Sequence, residues 1–244
     1  MKNDHKFALI TGGTKGIGKA VAKILSSKGY DLILTYASDD KTAHQVETAF
    51  AAEGKEVTLL KADASKISSI DLIANFLDAN ALKLDVVILN AGTTCRDSFE
   101  EMKMEDWTNV FMVNVHFPVF LLQRILSRIN KGGSVVFTGS LMGNIPHSVS
   151  LSYGVTKSAV HSLVRNLVKF LAPKGIRVNG VAPGFVDTEW QKTKPAAIRK
   201  NIENKVSLGC FCDPDELAKA YLMLIENNYF NGEVIVLDGG YSYK

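Results

Sequence analysis

The chain has little of what marks several protein classes. It holds three cysteines, Cys95, Cys210 and Cys212, an odd number without framework spacing. That excludes a disulfide scaffold and suits a reducing compartment. Cys210 and Cys212 lack a second cysteine pair, and the five histidines form no two-His helical motif, so no metal site is expected. Neither sign of charge dominates. The formal net charge is +3 over 244 residues, with both signs spread along the chain, too mild for a nucleic-acid partner. The basic residues from Lys192 to Lys205 are interleaved with acids and read as a solvated helix face. No long apolar run is unbroken: "VFMVNVHFPVFLLQRILSRI" is interrupted by Asn114, His116, Pro118 and Gln123 and carries Arg124 and Arg128. It reads as a buried or interface helix, with no membrane span. No signal-type stretch precedes "KFALIT", and the expectation is a cytoplasmic protein.

What is present is an alternation. "KFALIT", "DLILTY", "EVTLLK", "DVVILN", "GSVVFTG", "IRVNGVA" and "EVIVLDG" are short runs rich in Val, Ile and Leu. Between them lie longer amphipathic patterns such as "IGKAVAKILSSKG", closed by Gly29, and a helix from about Lys41 to Glu53 stopped by Gly54. Continuous apolar strands are covered on both faces, which predicts a parallel sheet with helices above and below. Hydrophobic content of 46% and charged content of 22% suit a sizeable core. No linker or repeat interrupts the pattern. The fold class is therefore α/β: a single doubly wound Rossmann-type domain, residues 1–244, with seven parallel strands.

Between the first strand and helix stands "TGGTKGIG", Thr11 to Gly18. Glycines at 12, 16 and 18 permit a tight turn, close backbone approach and close helix packing, and the helix begins with N–H groups that suit a phosphate. The spacing differs from G-x-G-x-x-G. At the end of strand two, where an NAD site places a carboxylate for the ribose 2′-hydroxyl, the chain has Tyr36, then Ala37 and Ser38. Ser38 could donate to a 2′-phosphate and Lys15 offset its charge, which favours NADP(H); Asp39 and Asp40 lie near enough to reach the ribose instead. Tyr153 and Lys157 sit one turn apart if "SYGVTKSAVHSL" is helical. They are either an inconsequential exposed pair or a proton donor beside a cation.

Taken in order, these residues resemble the short-chain dehydrogenase/reductase family in its short single-domain form. The motifs are Thr11-Gly12-x-x-x-Gly16-x-Gly18, Asp63-Ala64, Asn90-Ala91-Gly92, Asn114, Ser140, Tyr153-x-x-x-Lys157, Pro183-Gly184 with Thr188, and Asp238-Gly239-Gly240. The resemblance implies a catalytic set of Asn114, Ser140, Tyr153 and Lys157. It implies cofactor contacts from Gly12, Thr14, Lys15, Gly16, Ile17, Gly18, Ser38, Asp63, Ala64, Asn90, Ala91, Gly92, Tyr153, Lys157, Pro183, Gly184, Val186 and Thr188. By that pattern Asp63 bonds the adenine edge, Lys157 the nicotinamide ribose, and Asn114 kinks its helix to hold a water. Free tyrosine has a pKa of about 10, and a neighbouring ammonium is expected to lower it.

Within the family the chain looks most like 3-oxoacyl-acyl-carrier-protein reductases, implying an NADPH-dependent reduction of a 3-oxoacyl thioester. It departs at Cys210, where those enzymes commonly carry arginine, and in the bulkier "GSLMGNIPHSVSLSY". A sugar, polyol or other secondary-alcohol dehydrogenase is the alternative, and a silent dinucleotide-binding regulator a third reading. The resemblance also implies a substrate lid at about 188–210, and a homotetramer paired through the helices around Val110–Ile129 and Val155–Leu171. An acidic carrier protein could meet Arg124, Arg128, Lys131 and Lys169, although scattered surface charge is the simpler account.

Overall fold

Each apolar run forms a strand and each amphipathic stretch folds back over it as a helix. The strands are β1 (Lys6–Ile10), β2 (Tyr30–Tyr36), β3 (Val57–Lys61), β4 (Leu84–Leu89), β5 (Ile129–Thr138), β6 (Arg177–Pro183) and β7 (Val234–Leu237). They pair in parallel in the order β3-β2-β1-β4-β5-β6-β7. The structure is a computed structural model and describes residues 5–146 and 150–244. Its helices are α1 (Gly16–Ser27), α2 (Asp40–Ala52), α3 (Ser68–Ala79), α4 (Met104–Phe111), α5 (Phe117–Ile125), α6 (Leu151–Leu171), α7 (Glu189–Lys192), α8 (Ala196–Lys205) and α9 (Pro214–Glu226).

The two-residue period of a strand divides the apolar side chains between two layers. Leu9, Val87, Val135 and Val178 face one way and pack with Ile73 and Leu77 of α3, Phe117 and Leu121 of α5, and Val160 and Val164 of α6. Their neighbours Ala8, Ile10, Ile88, Val136 and Val181 face the other way, against Val21 and Leu25 of α1 and Leu217, Tyr221 and Leu224 of α9. At about 1.5–3 kcal/mol for each large side chain buried, both faces contribute heavily to stability. Strand order reverses between β1 and β4, opening a crevice at their carboxyl ends where ligands bind in such sheets.

The most apolar run does not form the single helix expected. Residues 104–128 are long and apolar enough by composition to cross a membrane, with mean hydropathy 1.4. In the fold, α4 and α5 are separated by a π-helical turn, Met112–His116, and Val113, Phe117, Leu121, Leu122 and Ile125 are buried in the core. The wider turn turns Asn114 inward, where it is 2% exposed. Such bulges are frequent at functional sites.

Candidate active site

The turn after β1 leads into α1 with its N-terminus uncapped. Lys15 makes no side-chain cap, the first turn has no acidic residue, and the first helical bond runs from Lys19 N–H to the Lys15 carbonyl. The N–H groups of Gly16, Ile17 and Gly18 precede that bond and suit an anion. Gly18 is required by close approach: a Cβ there would lie 2.2 Å from the Gly12 carbonyl oxygen and 2.7 Å from Asn90 Nδ2. Thr14 is buried, Ile17 half-buried, and the Thr188 methyl lies 3.0 Å from where a Gly16 Cβ would stand. Pro183 ends β6, and Gly184 and the buried Val186 carry the chain on to Thr188.

Beside this turn runs a cleft of about 390 Å³ lined by Gly12, Tyr36, Asp63, Ala64, Ala91 and Gly92 among others. Asn90 and Ala91 are fixed by Thr11, whose Oγ1 accepts both their N–H groups, at 2.9 and 3.0 Å. Asp63 accepts from the Ser65 N–H and hydroxyl at 2.9 and 2.8 Å, in a local turn. These features fit a dinucleotide: an uncapped helix for its phosphates and a cleft walled by small residues for its adenosine half.

The cleft ends at the second group of residues. A Cβ on Gly92 would lie 3.4 Å from Asn114 Oδ1 and 3.7 Å from Lys157 Nζ. Lys157 is 4% exposed and donates to the Thr138 carbonyl at 2.7 Å, with its ammonium 5.5 Å from the Tyr153 ring centroid. Burial pushes its pKa down to about 8. Asn114 donates to the Thr93 carbonyl and Thr156 Oγ1 and accepts from Thr93 N–H, all within 3.0 Å. It is at once a helix distortion and a fully satisfied amide.

The acidity expected of Tyr153 runs the other way. Burial of its half-buried phenol raises the pKa, and a hydrogen bond with the Ser140 side chain only partly opposes this. The ammonium turns to a backbone carbonyl and is itself desolvated, so low polarity around both groups outweighs attraction between them.

Other expectations also need correcting. Asp39 caps α2 through Thr42 N–H at 3.0 Å and pairs with Lys15, which holds its carboxyl well below the usual range. Asp40 accepts from the Tyr36 hydroxyl at 3.0 Å and pairs with Lys61 at 2.6 Å. Both aspartates are thus engaged, and Ser38 stands exposed beyond them. Arg124 and Arg128 pair with Asp71 and Asp78, at 3.4 and 2.6 Å in their shortest contacts, so they are not free charges for a partner. Lys194 and Arg199 are half-buried, unlike the solvated face expected of Lys192–Lys205. Of the bulky segment beside Ser140, residues 147–149 lie outside the described residues.

The sequence motifs do not point to Thr138 or His161, and they offer Thr11 only as the first residue of the glycine-turn motif, without the supporting role it has here. Thr138 Oγ1 donates to Asn90 Oδ1 at 3.2 Å and meets the Tyr221 hydroxyl at 2.7 Å, tying the Lys157 anchor to the cofactor turn. Thr11 holds the Asn90 turn. His161 bonds Asn144 Oδ1 through Nδ1 at 2.9 Å and accepts the Ser140 N–H through Nε2 at 3.4 Å. Its place one turn beyond Lys157 was the signal available in the sequence.

The family model for enoyl-(acyl carrier protein) reductase matches residues 12–242. A 3-oxoacyl-[acyl-carrier-protein] reductase of Aquifex aeolicus is 31% identical, over 98% of both chains. Glucose 1-dehydrogenase 2 of Bacillus subtilis is also 31% identical, over 96% of this chain and 94% of that enzyme. A short-chain dehydrogenase from Burkholderia cenocepacia, solved with NADP, superposes with a TM-score of 0.91 at 27% identity, over 97% and 98% of the chains. The chain belongs to the short-chain dehydrogenase/reductase family and is an NAD(P)-dependent oxidoreductase.

Proposed function

We propose that the protein reduces a ketone to a secondary alcohol with NADPH, with a 3-oxoacyl thioester as the first substrate to test. The observation that carries this is the meeting of Ser140, Tyr153 and Lys157 at the inner end of the dinucleotide cleft. The bound nicotinamide would supply the hydride. Ser140 would donate to the substrate oxygen and hold it in place. Tyr153, which as a phenol carries its proton at neutral pH, would give that proton to the oxygen as it becomes a hydroxyl. Lys157, still mostly charged at pH 7, would stabilise the phenolate left behind. Asn114, bonded to Thr93 and Thr156, would hold the loop after β4 against α6.

NADPH over NADH is supported by Tyr36 in place of a carboxylate at the end of β2, with Ser38 exposed beside it and Asp39 and Asp40 each paired with a lysine. Replacing Tyr153 with Phe should lower turnover by about 10²–10⁴ while leaving NADPH affinity within about twofold. Undiminished turnover overturns the reading. Acetoacetyl and crotonyl thioesters, sugars and polyols belong in the same panel, because relatives include a glucose dehydrogenase and the family model is described for enoyl reduction. A sugar or polyol preferred over thioesters by kcat/KM would move the assignment to the alternative.

The helices α7 and α8 form the segment proposed as substrate lid. Phe120, Leu151, Val155 and Phe170 are exposed on α5 and α6, which supports assembly through these helices into a tetramer. Light scattering that finds a monomer at micromolar concentration overturns the assembly. A carrier-protein partner would have to use charges other than the paired Arg124 and Arg128, such as Lys131 and Lys169.

A further inference from the structure

We propose that the mouth of this site selects a ketone that carries an anionic group, a reading that rests on the carbonyl reduction above. The rim is built from two elements distant in sequence. Arg96, on the loop after β4, places its guanidinium carbon 4.6 Å from the Trp190 ring centroid on α7. Lys194 places its ammonium 5.9 Å from the same ring and 5.9 Å from that of Phe185. One exposed indole therefore carries two cations.

The location ties this rim to the chemistry. Cys95, the residue before Arg96, accepts the Ser150 hydroxyl through its carbonyl, and Thr94 Oγ1 lies 2.9 Å from the same Ser150 oxygen. Ser150 immediately precedes α6 and so stands beside Tyr153. On the other side, α7 begins after Thr188, which packs against Gly16 at the head of α1. The Arg96–Trp190 contact thus joins the wall that carries the proton donor to the wall that holds the cofactor turn. On this reading a substrate carbonyl enters between them.

The charge on this rim is uncompensated. Neither Arg96 nor Lys194 has an ion-pair partner among the described residues. The acids nearby are committed elsewhere. Asp187 holds Arg199 at 2.8 Å and Lys192 at 3.8 Å, and Asp97 accepts from the Cys95 thiol at 3.2 Å. Glu189 points to the glycine turn, 4.0 Å from a Gly16 Cβ position. Arg199, although paired with Asp187, lies 4.3 Å from the Phe211 ring, and its Nη1 is buried without an acceptor. Consistent with this crowding, Lys194 is shifted toward its neutral form by burial, then by Arg96 and Arg199. A carboxylate or phosphate would complete the set, with Arg96 offering the forked geometry both prefer. A neutral sugar or simple ketone would leave it unmatched.

The test is NADPH oxidation by the full chain with acetoacetate, ethyl acetoacetate and acetoacetyl-coenzyme A. The acid carries a carboxylate, the thioester arm carries phosphates, and the ester carries neither. The better anionic probe should exceed the ester in kcat/KM by about tenfold or more, and which one leads identifies the source of the anion. Arg96→Gln and Lys194→Gln should each cut that advantage about tenfold, and added salt should shrink it. Lys219→Gln, which removes a charge paired with Glu216 on α9, should retain it. Equal kcat/KM for all three probes overturns the proposal, as does an advantage that survives both rim variants. No oxidation with any probe overturns the carbonyl reading, and this proposal with it.

Discussion

Replacing Lys157 with Met should make the protein more stable while stopping its chemistry. Lys157 is 4% exposed, donates to one backbone carbonyl, and has no ion pair among the described residues. Burial lowers its pKa from 10.5 to about 8, so the charged form is less favourable in the folded protein than in the unfolded chain. At about 1.4 kcal/mol per tenfold, that difference corresponds to about 3 kcal/mol lost by holding the charge at pH 7. Methionine is similar in length and carries no charge. It forfeits the Thr138 hydrogen bond and the contact with the Tyr153 ring, together about 1–2 kcal/mol. The net gain is about 1–2 kcal/mol, or about 4 °C in Tm for a chain of this size. The sign with pH follows from proton counting. Between pH 8 and 10.5 the unfolded chain holds more protons at this site than the folded one, so native stability rises through that window. The variant's advantage should therefore be full below pH 8 and fade toward pH 10.5. Thermal unfolding of both proteins without nucleotide at pH 7, 9 and 10.5 measures it. A variant no more stable than the native chain at pH 7, or an advantage that ignores pH, refutes the reasoning.

Three further changes probe separate parts of the site. Lys15→Ala should raise KM for NADPH about tenfold and that for NADH by less than about twofold, if this cation offsets a 2′-phosphate. Equal effects in steady-state kinetics with both nucleotides would count against that role. Gly18→Ala drives a methyl into the Gly12 carbonyl at 2.2 Å, so it should cost about 2 kcal/mol or more and abolish the NADPH-induced rise in Tm. His161 is held neutral, its pKa pushed from 6.5 down to about 4 by burial, Lys157 and Arg165. Between pH 6.5 and 4 the unfolded chain binds more protons there, so stability falls as pH drops through that window. His161→Gln should flatten this part of the acid limb in urea titrations at pH 7, 5.5 and 4.5; an unchanged slope would exclude His161 as its source.

Much of this molecule follows from local rules. Each run of Val, Ile and Leu became a strand, and the five inner strands are buried on both faces while the edge strands β3 and β7 stay half-buried, because an apolar strand inside the sheet has no face to give to water. The turn from Thr11 to Gly18 opened an uncapped helix, and the i, i+4 spacing put Tyr153 and Lys157 one turn apart. These outcomes depend on backbone sterics and on periodicity within a few residues, which the sequence states directly. Charge and acidity do not work that way. The Tyr153 phenol is raised, Asp39 and Asp40 are tied to Lys15 and Lys61, and Arg124 and Arg128 are paired with Asp71 and Asp78. Asn114 distorts its helix into a π turn whose amide answers Thr93, and Lys157 finds a carbonyl on β5. Arg96 and Lys194 meet only because the loop after β4 and the segment after β6 end at the same side of the sheet. The sequence alone determined the α/β layering and the order of the motifs. The desolvation and distant partners that set each group's protonation, and the charge at the mouth, were decided by tertiary structure, since both depend on which remote segments pack together.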